Sequence, residues 1–396
     1  MSMPSSSESV QLLVVGAGPV GLCAALSAAR RGLNVVVLDH VWRGFDSGHA
    51  SLVHASVLEL LDDGSRHRLV SEGRRLERVT LHVDGKLVSQ RELPAPALVV
   101  PQRQLEEVLL GTLRKRGVEV RTPLRAATIT QHEAHVEVRV LRRELSNSSS
   151  PALQGEWEPV ESSSIFANFV VGADGYESRV RAALGVDVAE VGGMESFAIF
   201  EGRFHGDDEP PLQLHFHEGL SGVVVPLGGG RTRFTFQLNE GLDERPDADC
   251  LRRLLAERGV AFRGQVEEVE WGSVMHFERR LARRFGKGRV WLAGDSAHVT
   301  SPLGCQSMNV GMLEAHELVN AMADCLEGKA NLSTLDRQAT LHEREWHKLF
   351  GVNVRFDVLA HAAPWVSTHA RRIVPALPAS GADLTFMLER LGLRLS

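Results

Sequence analysis

The apolar residues of this chain follow two kinds of pattern. The first, short apolar runs on either side of a helical stretch, predicts parallel strands joined by a helix. Apolar runs at Leu12 to Val15 and Asn34 to Leu38 flank a stretch of small residues that ends near Arg31. Short buried runs on both sides of a helical stretch are typical of a βαβ unit in a parallel sheet. A further helix is predicted over Gln102 to Gly117, where leucine and valine residues share one helical stripe and the glycine ends it.

The second pattern has a period of two residues and predicts antiparallel strands. Apolar side chains alternate with polar ones in three separate segments. Such alternation places the apolar residues on one face of a strand. We therefore expect an antiparallel sheet that is separate from the parallel one. The alternating apolar residues are Val136, Val138 and Val140, then Leu212, Leu214 and Phe216, then Phe234 and Phe236.

Helical periodicity returns towards the C-terminus. Apolar residues recur at helical spacing from Met308 onward, and the segment after about Leu332 is predicted to be entirely helical. The serine-rich stretch 145–164 predicts a long exposed loop. Residues 1–10 carry no basic cluster, so we expect a disordered start and no signal peptide.

The charge and the cysteine content of the chain narrow its class. The 396 residues carry a net charge of −6, and the pI near 6.3 gives no reason to expect a nucleic-acid partner. The absence of C-x-x-C spacing suits a reducing compartment, and we expect a cytoplasmic protein without disulfides and without a metal site. The four cysteines are Cys23, Cys250, Cys305 and Cys325.

The sequence V-V-G-A-G-P-V-G at residues 14–21 has the pattern of a dinucleotide-binding turn. Gly16 permits the tight turn, Gly18-Pro19 lets the backbone approach a pyrophosphate, and Gly21 lets the helix pack on the sheet. Asp39 ends the next strand, where a carboxylate can bind ribose hydroxyls. These glycines also interrupt the apolar run that would otherwise suggest a transmembrane segment. NAD and FAD both satisfy this fingerprint.

Two later aspartates extend the predicted cofactor site. Asp174 follows a third strand, with Ser178 and Arg179 opening a helix, and Asp295 follows a fourth strand. A compact domain that binds NAD does not need further aspartates at the ends of strands so far along the chain. A flavin dinucleotide does, because its ribityl chain and ring extend past the first domain. The ordered motifs therefore favour FAD.

With these three motifs in this order, the chain resembles the flavin-dependent aromatic hydroxylases of the para-hydroxybenzoate hydroxylase type. The resemblance runs from Leu12 to about Leu349. It implies an α/β fold in which a Rossmann-like FAD domain carries an inserted antiparallel substrate sheet and is followed by C-terminal helices. The expected bounds are 1–78, 99–184 and 276–335 for the FAD-binding domain, 79–98 and 185–275 for the substrate domain, and 336–396 for the C-terminal helical region.

The resemblance also implies roles for single residues. Asp295 would bind the ribityl hydroxyls, and the helix that begins near Ser307, Met308 and Asn309 would direct N–H groups at the flavin ring. Gln102 would lie near the FAD phosphates, with an ordinary polar helix residue as the alternative. Asp174 lies in a motif that the family associates with FAD and NAD(P)H, with a carboxylate that only braces the turn as the alternative. The residues expected where oxygen reacts are Pro302 and Gly304.

Some positions depart from the family pattern or stay open. Cys305 stands where relatives commonly have glycine, and we expect a small buried filler near the flavin. His40 replaces a frequent arginine, and His298 is expected to be structural. His215 and His217 share one face of a strand, opposite Leu214 and Phe216, and either face the substrate cavity as candidate bases or face water. Tyr176 is the only tyrosine, which excludes a relay built from tyrosines.

The implied activity is that of an FAD-dependent monooxygenase. Such an enzyme takes a hydride from NAD(P)H, forms a flavin C4a-hydroperoxide with O2 and transfers oxygen to a hydrophobic aromatic or enol substrate, here a polyketide, quinolone or quinone precursor. The alternatives are an FAD-dependent reductase of a prenyl or other unsaturated substrate and a non-catalytic FAD-binding partner protein. We expect a monomer or a homodimer, without a transmembrane segment but with possible peripheral membrane contact through the C-terminal helices.

Overall fold

The computed structural model describes residues 8–40, 50–142, 162–205, 210–239, 245–260, 262, 264–350 and 355–395. The strands in chain order are β1 Glu8–Val15, β2 Val35–Leu38, β3 Ala50–Val53, β4 Arg74–Val83, β5 Lys86–Pro101, β6 Glu119–Arg121, β7 Leu124–Gln131, β8 Val136–Arg142, β9 Ser162–Gly172, β10 Val188–His205, β11 Leu212–His217, β12 Leu220–Gly228, β13 Arg231–Leu238, β14 Gln265–Ala282, β15 Gly286–Lys287, β16 Val290–Leu292, β17 His298–Val299, β18 Phe356–Val358 and β19 Leu393–Leu395.

The helices separate or follow these strands. They are α1 Pro19–Arg30, α2 Ala55–Leu58, α3 Asp63–Glu72, α4 Gln102–Lys115, α5 Arg179–Ala183, α6 Ala248–Glu257, α7 Gln306–Leu326, α8 Leu332–Leu349, α9 Pro364–Ala376 and α10 Gly381–Leu391, with a 3-10 turn at Gly294–Ser296. In the described part of the chain no helix is both long enough and apolar enough to cross a membrane.

The first sheet contains the predicted parallel unit. Its strand order is β15-β16-β9-β1-β2-β6, and the central pairs β1–β2, β1–β9 and β9–β16 are parallel. Helices α1, α4 and α7 bury one face, because their apolar stripes pack against side chains such as Leu12, Phe169 and Trp291. The parallel strands end at one edge of the sheet, so the loops that follow them lie together.

The second sheet is the predicted antiparallel one. Its order is β17-β14-β10-β13-β12-β11-β4-β5-β3, and the pair β11–β4 is parallel. One face, with Leu214 and Phe216, packs on α9 and α10. The other face, with Phe200 and Phe234, packs on α6. The central strands β10 and β12 therefore contribute buried side chains on both faces of the sheet.

Three expectations are corrected by the described residues. The alternating segment Val136–Val140 is antiparallel but joins the first sheet, because β8 pairs with β9 at its edge. The C-terminal segment is not entirely helical, since β18 and β19 form a small antiparallel sheet. Strand β1 begins at Glu8, so the last residues of the predicted disordered start are ordered, whereas residues 1–7 lie outside the described part.

The serine-rich loop lies mostly outside the described residues, at 143–161. Its last serines, Ser162–Ser164, belong to β9 and pair with β8. Further along the same strand, Ile165 and Ala167 are both buried. The loop prediction is therefore too long at its C-terminal end.

Candidate cofactor and substrate site

The glycine-rich loop after β1 is built for close backbone approach. A Cβ on Gly16, whose φ is +106°, would lie 2.1 Å from the Ala173 carbonyl oxygen, and one on Gly21 would lie 2.0 Å from the Gly16 carbonyl oxygen. Both positions therefore require glycine. Gly18 is different, because a Cβ there meets nothing within 4 Å. It leaves open space at the start of α1, whose first turn has no side-chain cap and begins with Pro19.

Asp39 is held beside this loop. Its Oδ2 accepts a hydrogen bond from the Ala17 backbone N–H at 2.7 Å, which joins the end of β2 to the turn. His40 is exposed, with Nδ1 at 3.5 Å from Asp39 Oδ1. A cavity of about 410 Å³ opens here, and Arg125 of β7 and Asp174 also line it. Sequence reasoning missed Arg125, because β7 carries no motif.

Asp174 caps the short helix α5. Its carboxylate accepts hydrogen bonds from Ser178 Oγ at 2.5 Å, Arg179 N at 2.7 Å and Val180 N at 3.2 Å. The turn-bracing alternative is thus visible in the contacts. Asp174 also lines the cavity beside Gly16, so the turn that it braces forms part of the cavity wall.

Asp295 and Ser307 lie at the edge where β16 ends. Asp295 is exposed in the turn that follows β16, and its Oδ1 accepts from Ser307 Oγ at 2.5 Å. Cys305 takes a left-handed conformation with φ of 50° and precedes α7, which has no side-chain cap. The uncapped N–H groups and the positive end of this long helix therefore face the same region as the carboxylate.

A second cavity, of about 300 Å³, lies between the antiparallel sheet and the segment that follows β16 and leads into α7. The antiparallel sheet contributes an apolar wall, and the loop before α7 contributes the opposite wall. Gln102, the first residue of α4, also lines it and donates from Nε2 to Glu106 Oε1 at 3.1 Å. The lining residues are Gln102, Ile199, Arg233, Trp271, Met275, Phe277, Asp295, Val299, Thr300, Ser301, Pro302, Cys305, Ser307 and Met308.

Two of the predicted site residues lie behind this cavity. A Cβ on Gly304 would lie 2.6 Å from the Pro375 carbonyl oxygen, so this glycine is packed against the end of α9. Asn309 is fully buried; its Oδ1 accepts from His54 N at 2.7 Å and its Nδ2 donates to Leu52 O at 2.7 Å. The Asn309 side chain thus ties the segment before α2 to α7.

The strand register corrects the prediction that His215 and His217 are catalytic. Ile199 lines the cavity, and its row across the sheet runs through Thr235, Val223 and Leu214. His215 and His217 alternate with Leu214 along β11, so their side chains lie on the opposite face. The period of two shows which residues share a face but not which face meets the cavity.

Both histidines are instead part of a polar row on that opposite face. His215 is buried, stacks on His82 with ring centroids 4.8 Å apart and contacts Gln213 Oε1 through Nε2 at 3.0 Å. Burial lowers the pKa of His215 to about 3, with His82 as a smaller cause. His217 Nδ1 lies 3.2 Å from Asp84 Oδ1.

His298, Cys305 and Tyr176 have local structural contacts. His298 is buried, with Nε2 at 2.6 Å from Glu314 Oε2 and its ring stacked on Trp346 at 3.7 Å. Burial raises the pKa of the Cys305 thiol, which is therefore neutral where it meets the cavity. Tyr176 donates to Glu278 Oε2 at 3.1 Å, near the surface.

Sequence reasoning missed two further residues of the site, His54 and Arg233. His54 is 1% exposed and contacts Gly304 O through Nε2 at 2.9 Å. Burial lowers the pKa of His54 to about 4. Neither residue belongs to a motif. The only signal for Arg233 in the sequence was its charge, since it alternates with Phe234 and Phe236 along one strand. Among the described residues no group of side chains forms a metal site.

Comparison with known proteins identifies the family. The sequence profile described as "FAD binding domain" matches residues 9–346. The chain belongs to this FAD-binding family. It is 29% identical over 356 residues to 6-methylpretetramide 4-monooxygenase of Streptomyces rimosus, a match that covers 85% of this chain and 60% of that protein. It is 28% identical to aklavinone 12-hydroxylase RdmE of Streptomyces purpurascens, covering 82% and 64%. The chain thus spans less than two thirds of the length of these relatives.

One solved structure has the same fold as this chain. The p-nitrophenol 4-monooxygenase PnpA of Pseudomonas putida DLL-E4 superposes with a TM-score of 0.68 at 22% identity, covering 97% of both chains. At this level of identity the similarity concerns the fold. The predicted architecture, a Rossmann-like FAD domain with an inserted antiparallel sheet, is confirmed.

The residues present fit FAD, the cofactor of the family. The open space at Gly18 beside an uncapped helix suits a pyrophosphate, and Asp39 lies at the adjoining strand end where ribose hydroxyls are expected. Asp295 exposes a carboxylate at the second cavity, which would suit the ribityl hydroxyls. The uncapped start of α7 suits the electron-rich edge of the ring.

Proposed function

We propose that this chain is an FAD-dependent monooxygenase that uses NAD(P)H and O2 to place one oxygen atom on a hydrophobic aromatic or enol substrate. The observation that carries the proposal is the second cavity, in which an apolar sheet wall faces the loop and helix that fit the flavin. The names of the relatives support it, because they are monooxygenases and hydroxylases. The substrate class that we propose is that of fused-ring polyketides or quinone-like compounds.

FAD held at this site would supply the redox chemistry that links NAD(P)H, O2 and the substrate. The residues of this chain bind and orient the reactants. Asp295 and the start of α7 hold the cofactor side of the cavity, and Pro302 and Cys305 line the space next to it. Ile199 and Phe277 exclude water from the substrate side of the cavity. A dry cavity limits the release of activated oxygen as H2O2 before it reaches the substrate.

We also propose which residues bind each part of FAD and where the domains begin and end. We propose Gly16, Gly18, Pro19, Gly21 and Asp39 for the pyrophosphate and adenosine. We propose Asp174 for the same side of the cofactor, because it lines the cavity beside Gly16, and Gln102 for the FAD phosphates. The flavin side would be held by Asp295, Ser307, Met308 and the backbone of Asn309. The domain bounds expected from the sequence are kept as proposed.

Cellular location and assembly are also proposed. The four cysteines are free thiols, which supports a reducing compartment such as the cytoplasm. We propose a monomer or a homodimer, and light scattering of the FAD-loaded protein measures which one forms.

The test of the proposed activity uses isotopically labelled oxygen. The FAD-loaded protein is mixed with NADH or NADPH, ¹⁸O2 and a panel of phenols, naphthols and anthraquinones, and the products are analysed by mass spectrometry. A monooxygenase adds one ¹⁸O atom to the product and consumes the reductant faster when the substrate is present.

Two results would support the alternatives. A product that gains two hydrogens without ¹⁸O, also under anaerobic conditions, identifies a reductase. Failure of both nicotinamides to reduce the bound flavin with every substrate identifies a non-catalytic partner protein. Comparison of NADH with NADPH in the same assay determines the preferred reductant.

A further inference from the structure

Thr300 places a side chain with a hydroxyl group in the lining of the second cavity. It follows β17, which pairs with β14 so that Val299 lies opposite Arg280. This pairing fixes the backbone where the antiparallel sheet meets the loop before α7, just ahead of Pro302. Thr300 is 5% exposed and lines the cavity.

Other polar side chains of the lining already have partners. Ser307 Oγ donates to Asp295 Oδ1 at 2.5 Å, and Ser301 Oγ accepts from the Leu303 N–H at 3.3 Å. The Thr300 hydroxyl differs from these, because it has no hydrogen-bond partner among the described residues. A threonine hydroxyl carries one proton to donate and two lone pairs to accept, so this group is free to bind a ligand.

Packing does not explain a hydroxyl at this position. Valine has the same branched shape as threonine, and it would avoid the cost of leaving a hydroxyl unpaired in apolar surroundings. The wall contributed by the antiparallel sheet includes Ile199, Met275 and Phe277, which offer no hydrogen bond through their side chains. In cavities of this kind, a small number of polar groups fixes the orientation of an otherwise apolar ligand.

We propose that the Thr300 hydroxyl donates a hydrogen bond to a neutral carbonyl oxygen of the substrate, so that the cavity selects a planar aromatic ketone or quinone. This inference rests on the proposed function, because it takes the cavity as the substrate site. A carbonyl oxygen can only accept, and it needs a donor once the cavity excludes water. Ile199 and Phe277 pack on the apolar part of the compound, and Thr300 orients its ring beside Pro302.

The test measures binding alone, with FAD-loaded protein and no reductant. The probes are 2-acetylnaphthalene and 2-isopropenylnaphthalene, which have the same shape and differ in a C=O group against a C=CH2 group. Equilibrium dialysis measures the affinity for each. We expect Thr300→Val to weaken binding of the ketone by about 5- to 50-fold and to leave the affinity for the alkene unchanged or slightly higher.

Two further variants at this position separate the hydroxyl from the methyl group. Thr300→Ser keeps the donor and should retain ketone binding to within about threefold of the wild type. Thr300→Ala removes both groups, so it should weaken binding of both probes but that of the ketone more. It also keeps the test informative if Thr300→Val does not fold.

Two controls remove other hydroxyls. Thr232 is 2% exposed and lies on the face of β13 that carries Phe234, outside the lining of the cavity, so Thr232→Val should bind both probes as the wild type does. Ser301 accepts from the Leu303 N–H and braces the loop. Ser301→Ala should therefore change the affinity for both probes by the same factor.

Four results would overturn the inference. The first is a wild type that binds neither probe. The second is a Thr300→Val variant that binds the ketone as the wild type does, or that loses affinity for both probes equally, as a packing role predicts. The third is a Thr300→Ser variant that binds the ketone as weakly as Thr300→Val. The fourth is loss of FAD from Thr300→Val, which would assign the hydroxyl to the cofactor.

The outcome is independent of the test of the proposed activity. If Thr300→Val selectively lost the ketone while the ¹⁸O2 assay gave no labelled product, the proposed activity would be overturned and the binding inference would stand. If labelled product formed while Thr300→Val treated the two probes alike, the activity would stand and the role of Thr300 would be overturned.

Discussion

His54 Nε2 lies 2.9 Å from the carbonyl oxygen of Gly304. Because that oxygen can only accept, Nε2 carries the proton, and Nδ1 accepts from Ser380 Oγ at 2.8 Å. The backbone N–H of His54 donates to Asn309 Oδ1 at 2.7 Å. One buried imidazole therefore joins the segment before α2, the loop before α7 and the C-terminal segment before α10.

The first prediction concerns this imidazole. His54→Ala removes the donor to the buried Gly304 carbonyl and one of the two partners of Ser380, which keeps Ser56 at 3.0 Å. We therefore expect the free energy of unfolding to fall by about 1–3 kcal/mol. The loop should also be less well positioned, and a larger fraction of the NAD(P)H consumed should appear as H2O2. Urea unfolding and a peroxide assay measure the two effects.

Two variants make this experiment specific. His54→Gln keeps an amide donor and should recover part of the coupling between reductant and product. His132→Ala removes an exposed histidine and should change neither quantity. A His54→Ala protein with unchanged peroxide release would show that the imidazole does not position the loop.

The second prediction concerns stability in mild acid. Burial lowers the pKa of His54 to about 4 and that of His215 to about 3, whereas a solvent-exposed histidine has a pKa of about 6.5. The unfolded chain therefore takes up protons near pH 6.5 that the folded chain does not. The stability from each neutral histidine is complete above that pH and is lost as the pH falls towards the folded-state pKa. Between pH 7.0 and 5.5 each contributes a loss of about 1 kcal/mol.

Urea unfolding at the two pH values measures this dependence. His215→Gln removes one titrating group, so its loss of stability over the interval should be smaller than that of the wild type by about 1 kcal/mol. Equal losses in the two proteins would mean that His215 titrates in the folded state as it does in the unfolded one.

Local motifs in the sequence predicted the parallel sheet and the position of the glycine-rich turn. Gly21 could be assigned because its steric constraint, the Gly16 carbonyl oxygen, lies within the same turn, and Gly16 because the tight turn needs its positive φ of +106°. The crowding of Gly16 by Ala173 could not be seen in the motif. Residues such as His54 and Arg233 could not be assigned, because their role depends on partners far along the chain, Gly304 and Glu201.

The error over His215 has a related cause. The alternation along β11 correctly separates His215 from Leu214, but the choice of the face that meets the cavity depends on how β10, β13 and the loop before α7 assemble. Likewise, β18 and β19 are each three residues long, too short for a period of two to show. Tertiary pairing determines these features, and one sequence does not display it.

The third prediction separates two glycines of one motif. Gly16→Ala places a methyl group 2.1 Å from the Ala173 carbonyl oxygen at a φ of +106°, so we expect a loss of at least about 2 kcal/mol in stability. Gly18→Val is different, because Gly18 has a φ of −69° and open space around its Cβ. It should fold normally without FAD and should lose FAD binding.

Thermal denaturation of the FAD-free proteins and the flavin content of the purified proteins distinguish these outcomes. If Gly18→Val retained its flavin, the pyrophosphate would lie elsewhere than the open space at this turn. If Gly16→Ala were as stable as the wild type, the crowding at Ala173 would be relieved by a backbone shift.

The fourth prediction concerns Asp295 and Ser307, joined by a hydrogen bond of 2.5 Å. Asp295 is exposed, so Asp295→Ala should change stability by less than about 0.5 kcal/mol. Loss of a carboxylate that accepts from ribityl hydroxyls should nevertheless weaken FAD binding by about 10- to 100-fold. Quenching of tryptophan fluorescence during FAD titration of the apoprotein measures the affinity.

Ser307→Ala tests how the carboxylate is oriented. It removes only the donor that fixes Asp295 Oδ1, so we expect a smaller loss, about threefold to tenfold. The effects of the two substitutions should not add in the double variant, because without the carboxylate the hydroxyl has nothing to orient. Additive losses would indicate that Ser307 and Asp295 contact FAD independently, and an Asp295→Ala protein with wild-type affinity would remove this carboxylate from the cofactor site.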